Sequence, residues 1–360
     1  MCRVIEGFGS ANRLGELTGQ YGKILLVCDG AFEHLTIRGA FDDIKAVRFS
    51  DIQPNPDISS VVDGISLFRN EGCDCIVSVG GGSPLDVAKC IKLYANSDLP
   101  ADFLSEKATA ANVPLIAVPT TAGTGSEATR FAVVYVNGVK QSVASEDIIP
   151  DIVILDPDVL STLPDYQRKA TMLDALCHAL ESYWSVNSTG QSRLFSEEAA
   201  KEILRHMDSH LNNLPEGSRA MLLAANTAGK AINITQTTAG HAMSYKLTSM
   251  FGLAHGHAAA LCLPSLLRYM ADAEVTDTRG GEHLRKVLHE IAELFGSGTV
   301  NGMADKFEDM LRGLGLRPSY NYTPAQLDEL VLSVNPDRLK NTPVLMNREV
   351  LYKLYREVLT

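Results

Sequence analysis

At 360 residues the chain is long enough for two domains with full cores, and a 45% apolar, 21% charged composition is that of an ordinary globular protein. A net charge of −11 argues against general affinity for nucleic acid, and no apolar run reaches the roughly 18 residues needed to span a bilayer. The first residues, Met1 to Gly9, lack a basic-then-apolar export pattern, and the seven cysteines are scattered and odd in number. Reduced thiols in a cytoplasmic protein are therefore expected, with neither a membrane nor nucleic acid as partner. Cys73 and Cys75 lie two apart in an apolar, strand-like stretch, where core packing outweighs metal binding.

In chain order, Lys23 to Cys28 is a short β-branched apolar run that ends at the turn signal Asp29-Gly30, and a helical pattern follows. Ala46 to Phe49 is a second strand candidate, followed by the extended loop Gln53-Pro-Asn-Pro56. Ile58 to Asn70 has a helical period. Cys73 to Val79 and Val113 to Val118 read as buried strands. Each runs into a glycine-rich turn: Gly80-Gly-Gly-Ser-Pro84 after the first, and Thr120-Thr-Ala-Gly-Thr-Gly-Ser-Glu127 after the second. Arg130 to Val136, Asn137-Gly138 and Val139 to Val143 predict a hairpin with a type I′ turn. Val153 to Asp156 is a last strand. From about residue 165 helical periods dominate: 168–185, 192–211, 218–233, 283–294, 300–314 and 323–333, with a short helix closing the chain.

Strands alternating with helices argue for a mostly parallel sheet covered on both faces. The expected fold is thus an α/β, Rossmann-like domain over residues 1–160 and an all-α domain over residues 161–360. Glycine-rich strand-to-helix turns let backbone N–H groups approach a phosphate, and the helix start after them favours an anion. Pro84 suits a first helical turn. A carboxylate at Asp29, past the end of the first strand, can accept hydrogen bonds from an adenosine ribose and would repel a 2′-phosphate. NAD(H) is therefore expected over NADP(H).

The second half carries two histidine-bearing segments. Asp174 and His178 are four apart among good helix formers, on one helical face. His241 and His255 follow in later Ala/Gly/Leu-rich stretches, where a buried imidazole needs a partner. Three nitrogens and one oxygen are the donor set of a catalytic divalent metal site. His34, His206, His210, His283 and His289 lie in mixed polar surroundings and read as surface positions.

These segments resemble the signature regions of the iron-containing (group III) alcohol dehydrogenases, and the resemblance extends over nearly the whole chain, through Asn335 to Pro343 near its end. It implies the fold shared with dehydroquinate synthases. It also implies that Asp174, His178, His241 and His255 bind Fe²⁺ or Zn²⁺, that Gly81, Gly82 and Ser83 cradle a pyrophosphate, and that Thr120, Thr121 and Thr124 hold ribose and nicotinamide. Asp86 and Lys89 would shape that site, and a homodimer is expected. Where many members carry a further histidine four residues after His241, this chain has Tyr245. Tyr245 or His257 is the candidate for its proton-relay role.

Within the family the chain is most similar to the short phosphonoacetaldehyde reductases, through Glu181 to Thr189, Thr235 to Thr248 and Glu127 to Tyr135. That implies reduction of phosphonoacetaldehyde to 2-hydroxyethylphosphonate, by hydride transfer from the nicotinamide to a carbonyl polarised by the metal. A phosphonate needs fixed donors, and Arg130 and Lys246 are the candidates. The alternatives are a general alcohol/aldehyde or glycerol-type dehydrogenase. A dehydroquinate synthase-like lyase, which would place glutamate at Asp174 and further basic residues near its substrate, fits less well. A nucleotide sensor without turnover fits least.

Overall fold

The computed structural model describes residues 2–97 and 112–360. The chain forms two compact units, one running to Pro164 and taking in Asn212–Gly229, the other made of Asp165–Leu211 and Lys230–Thr360.

The first unit opens with β1 (Arg3–Glu6), the short helix α1 (Leu14–Thr18), β2 (Ile24–Cys28) and β3 (Ala46–Phe49). Helix α2 (Ile58–Asn70), β4 (Cys75–Gly80), α3 (Gly82–Tyr94) and β5 (Leu115–Pro119) follow. The hairpin β6 (Phe131–Val136) and β7 (Val139–Ala144) precedes β8 (Ile152–Leu155). Six strands pair in parallel in the order β1-β8-β5-β4-β2-β3, and the hairpin stands as its own two-stranded sheet. Every residue of β2, β4 and β5 is buried, as a parallel sheet with both faces covered requires. Val61, Ile65 and Phe68 on α2 and Val87 and Ile91 on α3 pack with Leu25, Val27 and Ile76 of the sheet. Asp57 starts α2 by accepting the Ser59 N–H at 3.0 Å.

Strand β2 leads to β3 on one side, whereas β4 leads to β5 on the other. The neighbours β2 and β4 therefore mark the switch point of the sheet, beyond whose carboxyl ends ligands bind in folds of this kind. Asp29 follows β2 there, and Gly81 and Gly82 follow β4.

The hairpin turn is type I′, with Asn137 at φ 52° and Gly138 at φ 75°. One expectation changes, and one strand joins those read from the sequence. The segment after Asp29 is not a regular helix but two 3₁₀ turns, Gly30–His34 and Arg38–Phe41, held by the edge-to-face pair Phe32 and Phe41. And β1, which carries no apolar alternation, exists because it pairs with β8 from Arg3 opposite Ile152 to Glu6 opposite Leu155.

The second unit is helical: α4 (Asp165–Trp184), α5 (Gly190–Leu211), the last turn of α6 (Pro215–Thr235), α7 (Ala239–Phe251) and α8 (His255–Asp272). It continues with α9 (Gly280–Leu294), α10 (Val300–Gly313), α11 (Pro324–Ser333), the single turn α12 (Pro336–Leu339) and α13 (Arg348–Leu359). Helices α4 and α8 are buried along most of their length. They meet closely at Gly256, where a Cβ would come within 2.1 Å of the Ala170 carbonyl and 2.5 Å of Asp174 Cβ. Only glycine permits that approach, and it brings the neighbouring His255 against the Asp174 face of α4. Among the described residues no helix is long and apolar enough to cross a membrane.

His210 corrects the sequence reading, because it is fully buried rather than superficial, and neither ring nitrogen has a hydrogen-bond partner among the described residues. The last turn of α5 turns it inward. Burial lowers its pKa to about 4, and the nearby Arg168 charge adds to the effect. In the unfolded chain the ring titrates near 6.5. Between those values the unfolded state binds the extra proton and the folded state does not, so stability falls as pH falls. Chemical denaturation at pH 7 and pH 4.5 should show a loss of roughly 2–3 kcal/mol from this residue, and His210→Leu should flatten that dependence; an unchanged slope would mean that other groups carry it.

Candidate metal centre and cofactor site

Helix α4 presents Asp174, His178 and Glu181 at i, i+4 and i+7, all on one face and all buried. His241 lies in the first turn of α7, and His255 opens α8. One ligand atom each of Asp174, His241 and His255 lie within 4.8 Å of one another. The His178 ring stacks on His241 with centroids 4.5 Å apart and planes 12° from parallel, and His255 meets His241 edge-on at 5.3 Å. The four residues singled out in the sequence thus converge, three of them with ligand atoms already in range.

The cluster is built for a cation. Burial favours the uncharged form of Asp174, but the imidazoles of His178, His241 and His255 outweigh it and hold the carboxyl well below the usual range. Burial likewise opposes a charge on His241, yet Glu181 and Asp174 on either side raise it to about 10. Asp174 Oδ1 and His241 Nε2 stand 3.5 Å apart, buried and without a hydrogen-bond partner among the described residues. A divalent ion would satisfy both, and nitrogen donors with one carboxylate suit Fe²⁺ or Zn²⁺.

Glu181 is the functional residue that motif reading passes over. Its Oε1 accepts from His241 Nδ1 at 2.6 Å and from the His241 backbone N–H at 3.0 Å. Its Oε2 accepts from the N–H and the hydroxyl of Thr238, both at 2.5 Å. A Cβ at Gly240 would come within 2.6 Å of Oε1, so a glycine there leaves room for the carboxylate. With Nδ1–H committed to Glu181, the lone pair at Nε2 is the one available to a metal, an arrangement that also strengthens the ligand. The available signal was its place three residues beyond His178 on the ligand face.

Tyr245 lies against the cluster, its ring stacked on His255 at 5.6 Å and 16°. His257, the other relay candidate, has both nitrogens engaged. Nε2 donates to the Leu316 carbonyl at 2.9 Å, which leaves Nδ1 to accept from the Tyr166 hydroxyl at 3.1 Å. That hydroxyl accepts in turn from the Ala254 N–H at 2.9 Å. His257 therefore anchors the start of α8. The two cations expected at the substrate are also engaged: Lys246 with Glu329 at 2.6 Å, and Arg130 with Glu146 at 2.7 Å while lying over the Phe131 ring.

In the first unit, Gly81 caps α3, while Gly82 and Ser83 begin it, so the open N–H groups of the first turn lie in the glycine-rich turn. The second turn closes over the first. The Thr120 N–H donates to the Gly80 carbonyl at 2.9 Å. A Cβ would bring Gly81 within 3.4 Å of Thr121 Cγ2 and Gly82 within 3.2 Å of Thr124 Cγ2. This backbone cradle would be filled by larger residues, and it fits a pyrophosphate.

Asp86 and Lys89 brace it from beneath. Asp86 accepts from the Ser126 hydroxyl at 2.7 Å and the Val133 N–H at 3.0 Å. The fully buried Lys89 reaches Ser126 Oγ at 3.0 Å, Thr129 Oγ1 at 3.1 Å and the Phe131 carbonyl at 2.8 Å. Burial lowers Lys89 to about 8, against the opposing pull of Asp86 and Glu127. Asp29 caps the turn after β2 through the Ala31 N–H at 3.0 Å, and burial raises its carboxyl.

Glu181→Gln removes the charge behind His241 while keeping its shape. Metal affinity, measured by competition with a chromophoric chelator, should fall about 10- to 100-fold, and the metal-free protein should melt at a lower temperature, because the amide sets a donor against donors that the carboxylate accepts from. A dissociation constant equal to that of the parent would mean that packing alone orients His241.

The profile described as iron-containing alcohol dehydrogenase matches residues 2–157, and that of the Fe-containing alcohol dehydrogenase family, C-terminal, matches residues 169–359. The chain is 34% identical to a phosphonoacetaldehyde reductase of Streptomyces viridochromogenes over 79% of its own length and 76% of the relative's. It is 33% identical to an NAD-dependent methanol dehydrogenase of Bacillus methanolicus, over 79% and 78%. Among solved structures, a sulfoacetaldehyde reductase from Bifidobacterium kashiwanohense in complex with NAD⁺ superposes with a TM-score of 0.89 at 28% identity, covering 100% of this chain and 97% of that one. With these matches and its buried metal-ligand cluster, the chain belongs to the iron-containing alcohol dehydrogenase family, as a metal-dependent, NAD(P)-linked oxidoreductase of alcohols and aldehydes.

Proposed function

We propose that the enzyme reduces a two-carbon aldehyde with an anionic head group, phosphonoacetaldehyde first, to the corresponding alcohol, with NADH as the reductant. The observation that carries this reading is the 34% identity to a phosphonoacetaldehyde reductase over 79% of the chain. The likeness to a sulfoacetaldehyde reductase supports it, because that name also denotes an anionic two-carbon aldehyde. Asp174, His178, His241 and His255 hold the metal, and Gly81, Gly82, Ser83, Thr120, Thr121 and Thr124 hold the dinucleotide. When bound, the metal supplies Lewis-acid polarisation of the carbonyl and the nicotinamide supplies the hydride. Glu181 keeps His241 in the tautomer that can act as a ligand. Tyr245, packed on His255, is the candidate to deliver a proton from Oη to the product oxygen. His257 is left with a structural role. A cytoplasmic location, supported by seven cysteines that are all free thiols, and a homodimer, carried over from the family resemblance, belong to the same reading.

A second reading, a general short-chain aldehyde reductase, is favoured by one observation: Arg130 and Lys246 both carry carboxylate partners. NADH oxidation by protein loaded with Fe²⁺ or Zn²⁺ separates the two. Under the first, kcat/KM for phosphonoacetaldehyde should exceed that for butanal and glycolaldehyde by about a hundredfold and vanish on chelation, a preference of roughly 2.7 kcal/mol in transition-state binding. Equal activity on all three would select the general reductase.

Asp29, after the β2 end of the switch point, underlies the preference for NAD(H). Asp29→Gly should lower the ratio of kcat/KM for NADH over NADPH by about tenfold or more. A ratio that does not move would remove Asp29 from cofactor choice.

A further inference from the structure

With Lys246 and Arg130 engaged elsewhere, an anionic head group needs a different donor, and the stack on the metal ligands leads to one. Tyr245 lies flat on His255 at 5.6 Å, and the guanidinium of Arg338 lies over the Tyr245 ring, 5.9 Å from its centroid. Imidazole, phenol and guanidinium thus form a ladder that starts at a metal-ligand candidate and ends at a half-buried cation. No carboxylate lies within ion-pair distance of Arg338 among the described residues, whereas its neighbour Lys340 is paired with Asp337 and Lys246 with Glu329, each at 2.6 Å.

The mount is rigid. Arg338 sits on α12, whose start is capped by Asn335 accepting the Asp337 N–H at 2.9 Å. Just beyond, Asn341 Nδ2 donates to the Thr237 carbonyl at 3.0 Å, and Thr342 Oγ1 accepts from the Ala239 N–H at 3.0 Å. The segment bearing the guanidinium is therefore tied to the entry of the helix that carries His241 and Tyr245. Without a carboxylate partner, the Arg338 guanidinium above the Tyr245 ring keeps its N–H donors for hydrogen bonds to an oxyanion.

Resting on the function proposed above, we infer that Arg338 is the specificity-determining residue that receives the anionic head group of the substrate, with Tyr245 as the platform that aims it. In a two-carbon phosphonate aldehyde the phosphorus lies two bonds from the carbonyl carbon. That short reach requires the substrate to lie along one side of Tyr245, with its carbonyl directed to the metal ligands and its oxyanion to Arg338.

The test compares phosphonoacetaldehyde with butanal in metal-loaded enzyme, Arg338→Met and Arg338→Lys. The ratio of kcat/KM for phosphonoacetaldehyde over butanal should fall about 30- to 100-fold in Arg338→Met, mostly through KM, and recover in part in Arg338→Lys, which restores a charge without the fork. If the parent enzyme prefers the phosphonate and Arg338→Met keeps the same ratio, the assignment of Arg338 is overturned while the proposed substrate stands. If the parent shows no preference, the substrate reading fails, and competitive inhibition of butanal reduction by ethylphosphonate decides on Arg338. Inhibition lost in Arg338→Met upholds the anion site; inhibition equal in both proteins, or absent from the parent, rejects it.

Discussion

A carboxylate removed from water must be paired, and that constraint organises the helical unit. Helix α4 buries two of them, Asp174 and Glu181, on one face. Neither can stay charged in an apolar interior without cations or donors around it. His241 lies between them: its Nδ1–H donates to Glu181, and its Nε2 faces Asp174 Oδ1 at 3.5 Å without a hydrogen bond. Helix α7 supplies Thr238, the His241 backbone and the space at Gly240 that Glu181 requires, and α8 supplies Gly256 so that His255 can come close. The packing of three helices and the preparation of a metal site are the same set of contacts.

The sheet unit meets a different demand, an anion rather than a cation, and meets it mainly with backbone. The turns after β4 and β5 close on each other through the Thr120 to Gly80 hydrogen bond, and the N–H groups of the first turn of α3 remain open. Beneath them the half-buried Asp86 and the buried Lys89 are spent on Ser126, Thr129, Phe131 and Val133. These charges hold a loop in shape, which explains why charged residues next to a cofactor turn need not touch the cofactor. The side chains that distinguish cofactors are expected at the strand ends of the switch point, where Asp29 stands.

The basic residues of the helical unit and of the hairpin differ in whether a carboxylate already holds them. Arg130 and Lys246, the two cations that the sequence singles out for a phosphonate, are held by Glu146 and Glu329. Arg338 is remote in sequence from the histidine-bearing segments, yet its guanidinium lies over the Tyr245 ring, which is stacked on His255. Where many members of the family carry a histidine, this chain has a phenol ring that packs on the His255 imidazole and lies beneath the Arg338 guanidinium.

Local patterns carried much of this protein on their own. Unbroken apolar runs marked β2, β4 and β5, Asn137-Gly138 marked the hairpin, and the four-residue spacing of Asp174 and His178 marked the ligand face, because each depends on neighbours in the chain. Tertiary structure decided the rest. Strand β1 exists only through its pairing with β8. His210, in a mixed polar stretch, is buried by its helix's packing. Glu181 becomes functional through His241 and Thr238, which arrive from another helix. Periodicity and turn chemistry are written over a few residues, whereas burial and the pairing of charges depend on which distant segments the fold brings together.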